Sequence, residues 1–205
     1  MNSFNRGGRT VAVSSLITIW KQPPYNLTPE NRQLLFAWIY SPMMLSIPMG
    51  VISETFPICG SRINAYIFLM SMLQVAFSLT MAFTAKDYPS ENVQAAYTFF
   101  CFFGMAWTDT VLGGVIVRES RKDPEKGAED LRIFEWITWG VGTFVPMMLG
   151  PGLFYEGLHL RVTTEFFVLT LNALLMASVA FFLPEKEMYS ELDVQGVSAK
   201  DRRRF

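Results

Sequence analysis

Few side chains in this sequence could do chemistry, and most of those few stand in apolar surroundings. Asp109 lies inside a long apolar run, AWTDTVLGGVIVRESR. An acid in such a place is costly to bury and marks a proton or substrate site by default. In GVISETFPICGSR, Glu54 and Arg62 flank Pro57 and Gly60 between two apolar runs. Acid and base could pair there across neighbouring helix ends, or simply mark a membrane boundary. In YEGLHLR, Glu156, His159 and Arg161 bring together an acid, an imidazole and a guanidinium. No Gly-rich phosphate loop, metal-ligand spacing or nucleophile–base pair occurs, so neither a metal site nor enzyme activity is expected.

The elements that must carry these residues are long and apolar. Of 205 residues, 51% are hydrophobic and only 17% charged, below the quarter usual for soluble domains. The apolar residues form blocks at 34–53, 65–85, 93–117, 134–155 and 162–183. Each has about the 20 residues needed to cross a bilayer as a helix. The expected fold is therefore an all-α integral membrane protein of about five transmembrane helices. Thr28-Pro29-Glu30 and Pro89-Ser90-Glu91 read as helix starts. Pro42, Pro48, Pro146 and Pro151 fall inside spans, where neighbouring helices must satisfy the freed carbonyls. Cys59 and Cys101 are too few for a disulfide framework and read as small buried residues. The net charge of −1 gives no footprint for nucleic acid.

Five spans divide the loops into two sets. Residues 54–64, 118–133 and the C-terminal tail hold eleven of the seventeen bases; the other side holds six. The positive-inside rule places the first set, with the C-terminus, on the cytoplasmic, stromal or matrix side. The organisation expected is an N-terminal segment (1–30), a five-helix transmembrane half-bundle (31–184) and a charged tail (185–205). Within the first segment, residues 11–20 are apolar but too short to span alone. They read as an interfacial stretch anchored by Trp20 and Lys21, or as part of an organellar targeting segment, since no acid precedes Glu30.

Three blocks resemble the folate–biopterin transporter family, a branch of the major facilitator superfamily. The first, TPENRQLLFAWIYSPMMLSIPMGVISETFPICGSRINAY, is similar to its second helix and following loop through Gly50, Ser53, Glu54, Pro57, Gly60, Arg62 and Tyr66. AWTDTVLGGVIVRESR resembles the fourth helix, and EKGAEDLRIFEWITWGVGTFVPMMLGPGL the next loop and fifth helix. The resemblance covers about residues 14–184 and implies the second to sixth helices of the N-terminal half of a major-facilitator-type bundle, with residues 11–20 as the stub of the first. It also implies that an acid and a base near residues 54 and 62 help to hold one conformation of a transport cycle.

The chain departs from the family pattern. The arginine run after Gly60 is reduced to Arg62. The first aspartate of the fourth helix is Asp109, but Gly113 stands where a second would be, and Arg118 where an acid would close the helix. A half-bundle has no second wall against which to rock. The leading expectation is therefore a non-transporting accessory subunit of a large membrane complex, packed among other membrane subunits and lipid. The resemblance, which includes plastid members, suggests a thylakoid or mitochondrial inner membrane. The alternative is the N-terminal half of a split folate or biopterin carrier. The missing first helix predicts a groove lined by Gly104, Gly113, Gly114, Gly140 and Gly142, filled by a partner helix, lipid or pigment.

A third reading is a pigment-binding antenna subunit. Glu156-x-x-His159-x-Arg161 is similar to the magnesium-ligating motif of light-harvesting proteins, with His159 as ligand. Here it stands in one copy in an expected loop, which favours a polar loop histidine. The run 118–132 reads as a solvated loop with both charge signs, and the 12 methionines as adaptable packing.

Overall fold

The computed structural model describes residues 13, 16–17, 20–21, 23, 25–84, 87, 90–120, 127–153 and 158–183. The chain is all-α. Its helices are α1 (Pro29–Tyr40), a 3-10 turn (Ser41–Leu45), α2 (Ser46–Thr55), α3 (Asn64–Thr84), α4 (Glu91–Ser120), α5 (Gly127–Leu153) and α6 (Leu158–Phe182). Among the described residues, Pro29–Thr55, Asn64–Thr84, Glu91–Ser120 and Thr163–Phe182 are long and apolar enough to cross a membrane. The remaining expected span falls on α5, a helix of 27 residues. Part of the expected loop 118–132 is helical, because α4 runs on to Ser120 and α5 starts at Gly127.

Local chemistry explains the ends and the break. Thr28 caps α1, its hydroxyl accepting from the Asn31 N–H at 3.4 Å, with Pro29 at the first position and Glu30 in the first turn. Pro42 has no N–H to offer the Trp38 carbonyl one turn back. The Ser41 hydroxyl donates to that carbonyl at 2.7 Å instead, so the span continues through a 3-10 turn rather than ending. The reversal after α2 is a two-residue turn. Ile58 and Ser61 exchange N–H···O bonds of 2.9 Å each, and Cys59 and Gly60 both take positive φ, 52° and 79°. That pair of conformations defines a type I′ turn. Gly60 adopts it without strain, whereas Cys59, expected to be buried, is exposed there. Cys101 is buried as expected.

The interior is built on α3, which packs extensively against α4 and α6. Midway along it the buried side chains are polar: Ser71, Gln74 and Ser78 are all within 1% of fully buried. Small residues let membrane helices approach closely. Gly104 of α4 sits at the tightest crossing, where a Cβ would lie 2.6 Å from the Met70 carbonyl oxygen. The Ser78 and Thr170 hydroxyls meet at 2.8 Å between α3 and α6, and the Asn64 side-chain amide donates to the Leu183 carbonyl at 3.0 Å. By contrast α5 touches α4 and α6 sparsely and exposes Phe134, Trp136 and Ile137.

Two apolar clusters fill the ends of the bundle. One, near the start of α4, joins Ile39, Met81, Ala95, Phe102 and Phe166 with Val13, Leu16 and Trp20. The described residues 13, 16, 17 and 20 are helical, and Leu16 and Trp20 have no exposed surface. Trp20, expected as an anchor of this stretch, is packed in the protein core, while Lys21 is exposed. The Trp20 indole donates to the Gln94 side-chain oxygen at 2.9 Å in the interior, and the Gln94 amide donates in turn to the Tyr25 hydroxyl. Burying an indole N–H requires such a partner. The other cluster, near the turn at 58–61, contains Ile63, Tyr66, Ile67, Val111, Val115 and Ala180.

Candidate functional site

Asp109 lies about two-thirds of the way along α4. At 1.5 Å per residue it is roughly 16 Å from the end of the helix at Ser120, well inside the span. It is half-buried. Together with Met43, Ser46, Ile47, Gly50, Ala106 and Thr110 it lines an open cleft of about 620 Å³ between the 3-10 turn, α2 and α4. Gly50 lets α2 approach, since a Cβ there would lie 3.3 Å from the Thr110 methyl. The hydroxyls beside Asp109 donate to their own helix: Thr108 to the Gly104 carbonyl at 2.9 Å and Thr110 to the Ala106 carbonyl at 2.8 Å.

One turn beyond Gly50, Glu54 accepts a hydrogen bond from Arg118 at 2.9 Å. The pair ties the end of α2 to the end of α4, on the side of the cleft facing the 58–61 turn. Arg118, which stands where the family pattern has an acid, thus supplies the charge opposite Glu54. The two residues are 64 positions apart, a pairing that no local pattern announces. Arg118 is 22% and Glu54 64% exposed, so the contact adds little to stability, about 0–1 kcal/mol. Its effect is to set the spacing of two helix ends.

The other motif residues serve the turn. Ser53 is buried and its hydroxyl donates to the Gly50 carbonyl at 2.9 Å. Tyr66 donates from its hydroxyl to the Phe56 carbonyl at 2.7 Å and stacks on Trp107 at 5.8 Å. Pro57 follows the end of α2, where it cannot continue the helix. Arg62 starts the approach to α3 beside these groups.

The expected glycine groove divides. Gly104 is not on an open face but packed on the backbone of α3, whereas a Cβ at Gly113, Gly114 or Gly140 would meet nothing within 4 Å. Gly142 is buried. His159 falls not in a loop but in the first turn of α6; Glu156 lies outside the described residues. Among the described residues no three His, Cys, Asp or Glu side chains are grouped as a metal would require.

One buried acid escaped the sequence reading. Glu165 on α6 is only 6% exposed. It stands near the start of an apolar block, where an acid reads as a boundary marker. The signal available was the capacity of α6 to begin several residues earlier, which moves Glu165 inward.

What this arrangement offers is a carboxylate in a half-open, largely apolar cleft inside the span, with an ion pair toward one membrane face. Such a carboxylate can accept hydrogen bonds from a ligand or bind and release a proton. Comparison with known proteins bears on which. The model of the BT1 family matches residues 15–202. A probable folate-biopterin transporter 4 of Arabidopsis thaliana is 24% identical over 208 residues, covering 97% of this chain and 42% of the relative. The chain therefore spans less than half the length of that protein. No solved structure matches the chain significantly.

Proposed function

The chain belongs to the BT1 family, that of the folate–biopterin transporters, and we propose on that basis that it forms part of a membrane carrier for folate- or biopterin-type compounds. One observation supports this over the accessory-subunit expectation. Asp109 lines a cleft large enough for a ring system, at a depth where an acid without a function is disfavoured. A pterin ring carries an N–H and an amino group side by side, and a carboxylate accepts from both. The Glu54–Arg118 contact closes the α2–α4 spacing toward one face and would open when ligand passes. The cleft is open on its outer side, and an acid does not face lipid. A second helical body must therefore supply the facing wall, as the 42% coverage of the relative also suggests.

The accessory-subunit reading is kept as the second because Gly113, not a carboxylate, stands one turn beyond Asp109, with open space around it. Under that reading the chain sits in a larger complex of an organellar membrane, thylakoid or mitochondrial inner, with the 58–61 turn on the stromal or matrix side. Uptake of tritiated folate and biopterin separates the two. Cells co-expressing the chain with the part of the Arabidopsis relative that it does not cover, as the facing wall, should exceed a control expressing that part alone, and Asp109→Asn should return uptake to that control at equal protein levels. Uptake equal to the control with the protein in the membrane, or undiminished in Asp109→Asn, would favour the accessory reading.

A further inference from the structure

We infer that a second cleft, between the first turns of α1 and α4, binds a membrane lipid with a primary-ammonium headgroup, of the phosphatidylethanolamine type. The cleft has a volume of about 490 Å³ and is graded in polarity. At its mouth stand Asn31, Glu91 and Asn92; below them lie Leu34, Leu35 and Trp38. The volume is within the range of small-ligand sites. Both helices start here, so the mouth lies where two spans leave the membrane and the floor lies in its hydrocarbon. From Asn31 to Trp38 the wall descends roughly 10 Å at 1.5 Å per residue.

The sign of the site selects the headgroup. Glu91 belongs to the first turn of α4. Among the described residues no base lies within ion-pair distance of it. The carboxylate and the two side-chain amide oxygens are acceptors, and a primary ammonium has three donors to give. A quaternary ammonium has none. The apolar wall requires more than a free amine. Trp38 is held edge-fast by its stack on Phe99, with centroids 4.8 Å apart, and Leu34 is 71% exposed. An acyl chain lying along these side chains covers surface that the bundle itself leaves open.

The test uses the full chain, reconstituted in vesicles of equimolar phosphatidylethanolamine, phosphatidylcholine and phosphatidylglycerol with identical acyl chains. The protein is then extracted in mild detergent and its retained lipid counted by native mass spectrometry. Phosphatidylethanolamine should be retained about fivefold over phosphatidylcholine, a modest binding preference. Glu91→Gln should bring the ratio close to one, and Asn31→Leu should lower it without altering helix charge. Glu30→Gln, an exposed acid one residue from Asn31 but outside the cleft, should leave it unchanged. Retention in proportion to the vesicle composition, or a preference that survives Glu91→Gln in protein of unchanged thermal stability, would overturn the inference. So would displacement of the lipid by free ethanolamine, which would show a site for amines rather than for a lipid.

Discussion

Alanine at Gly104 should destabilise the bundle, while alanine at Gly113 should not, although both glycines lie on the same helix in similar apolar sequence. A methyl at residue 104 would stand 2.6 Å from the Met70 carbonyl oxygen and 3.4 Å from the Gln74 nitrogen. These are backbone atoms, so no rotamer change relieves the contact; α3 and α4 must separate. Overpacking typically costs about 1–3 kcal/mol, and a backbone contact belongs in the upper half of that range. Replacing a mid-helix glycine by alanine returns about 0.5–1 kcal/mol. The net loss is then about 1–2.5 kcal/mol, or a factor of roughly 5–60 in the folding equilibrium. At Gly113 nothing lies within 4 Å, so only the gain remains. Reversible unfolding in mixed micelles by increasing SDS measures both. Equal midpoints for the two variants would refute the reasoning, because they would show that α3 and α4 do not cross at Gly104.

Several further outcomes are expected. Trp20→Phe keeps the ring but leaves the Gln94 oxygen without its indole donor; it should cost about 1–3 kcal/mol in the same unfolding assay. Ser78→Ala and Thr170→Val should show a coupling of about 0.6 kcal/mol in a double-mutant cycle, as membrane hydrogen bonds do. Arg118→Gln should change stability by no more than about 1 kcal/mol yet speed labelling of a cysteine placed at Gly50, because α2 and α4 are no longer held at their ends. A membrane-impermeant maleimide should label Cys59 and not Cys101, and only from the side carrying Glu54 and Arg118.

The spans, the Thr28 cap and the turn at Gly60 were legible because each is a local pattern: a run of apolar residues, a hydroxyl before a proline, a glycine beside a second turn residue. Asp109 was legible for a similar reason, as a charge where none is expected. What the sequence did not reveal is which face each residue presents. Gly104 and Gly113 are nine positions apart, and at about 100° per residue that is half a turn; one meets α3 and the other meets nothing. Trp20 belongs to a stretch too short to span, and only the opposing Gln94, on another helix, shows that it is core. Arg118 looked like a departure from a pattern because its partner lies 64 residues away. Cys59 looked buried because its neighbours are apolar, yet the type I′ turn points it outward.

The carrier reading is tested most directly at Ser46, a cleft-lining residue that makes no use of the Asp109 carboxylate. In a Cys59→Ser background, Ser46→Cys should react with a water-soluble maleimide in native membranes. Saturating biopterin or folate should slow that reaction severalfold by occupying the cleft beside Asp109, and Asp109→Asn should abolish the protection. A labelling rate that is the same with and without either compound would contradict a pterin path through this cleft.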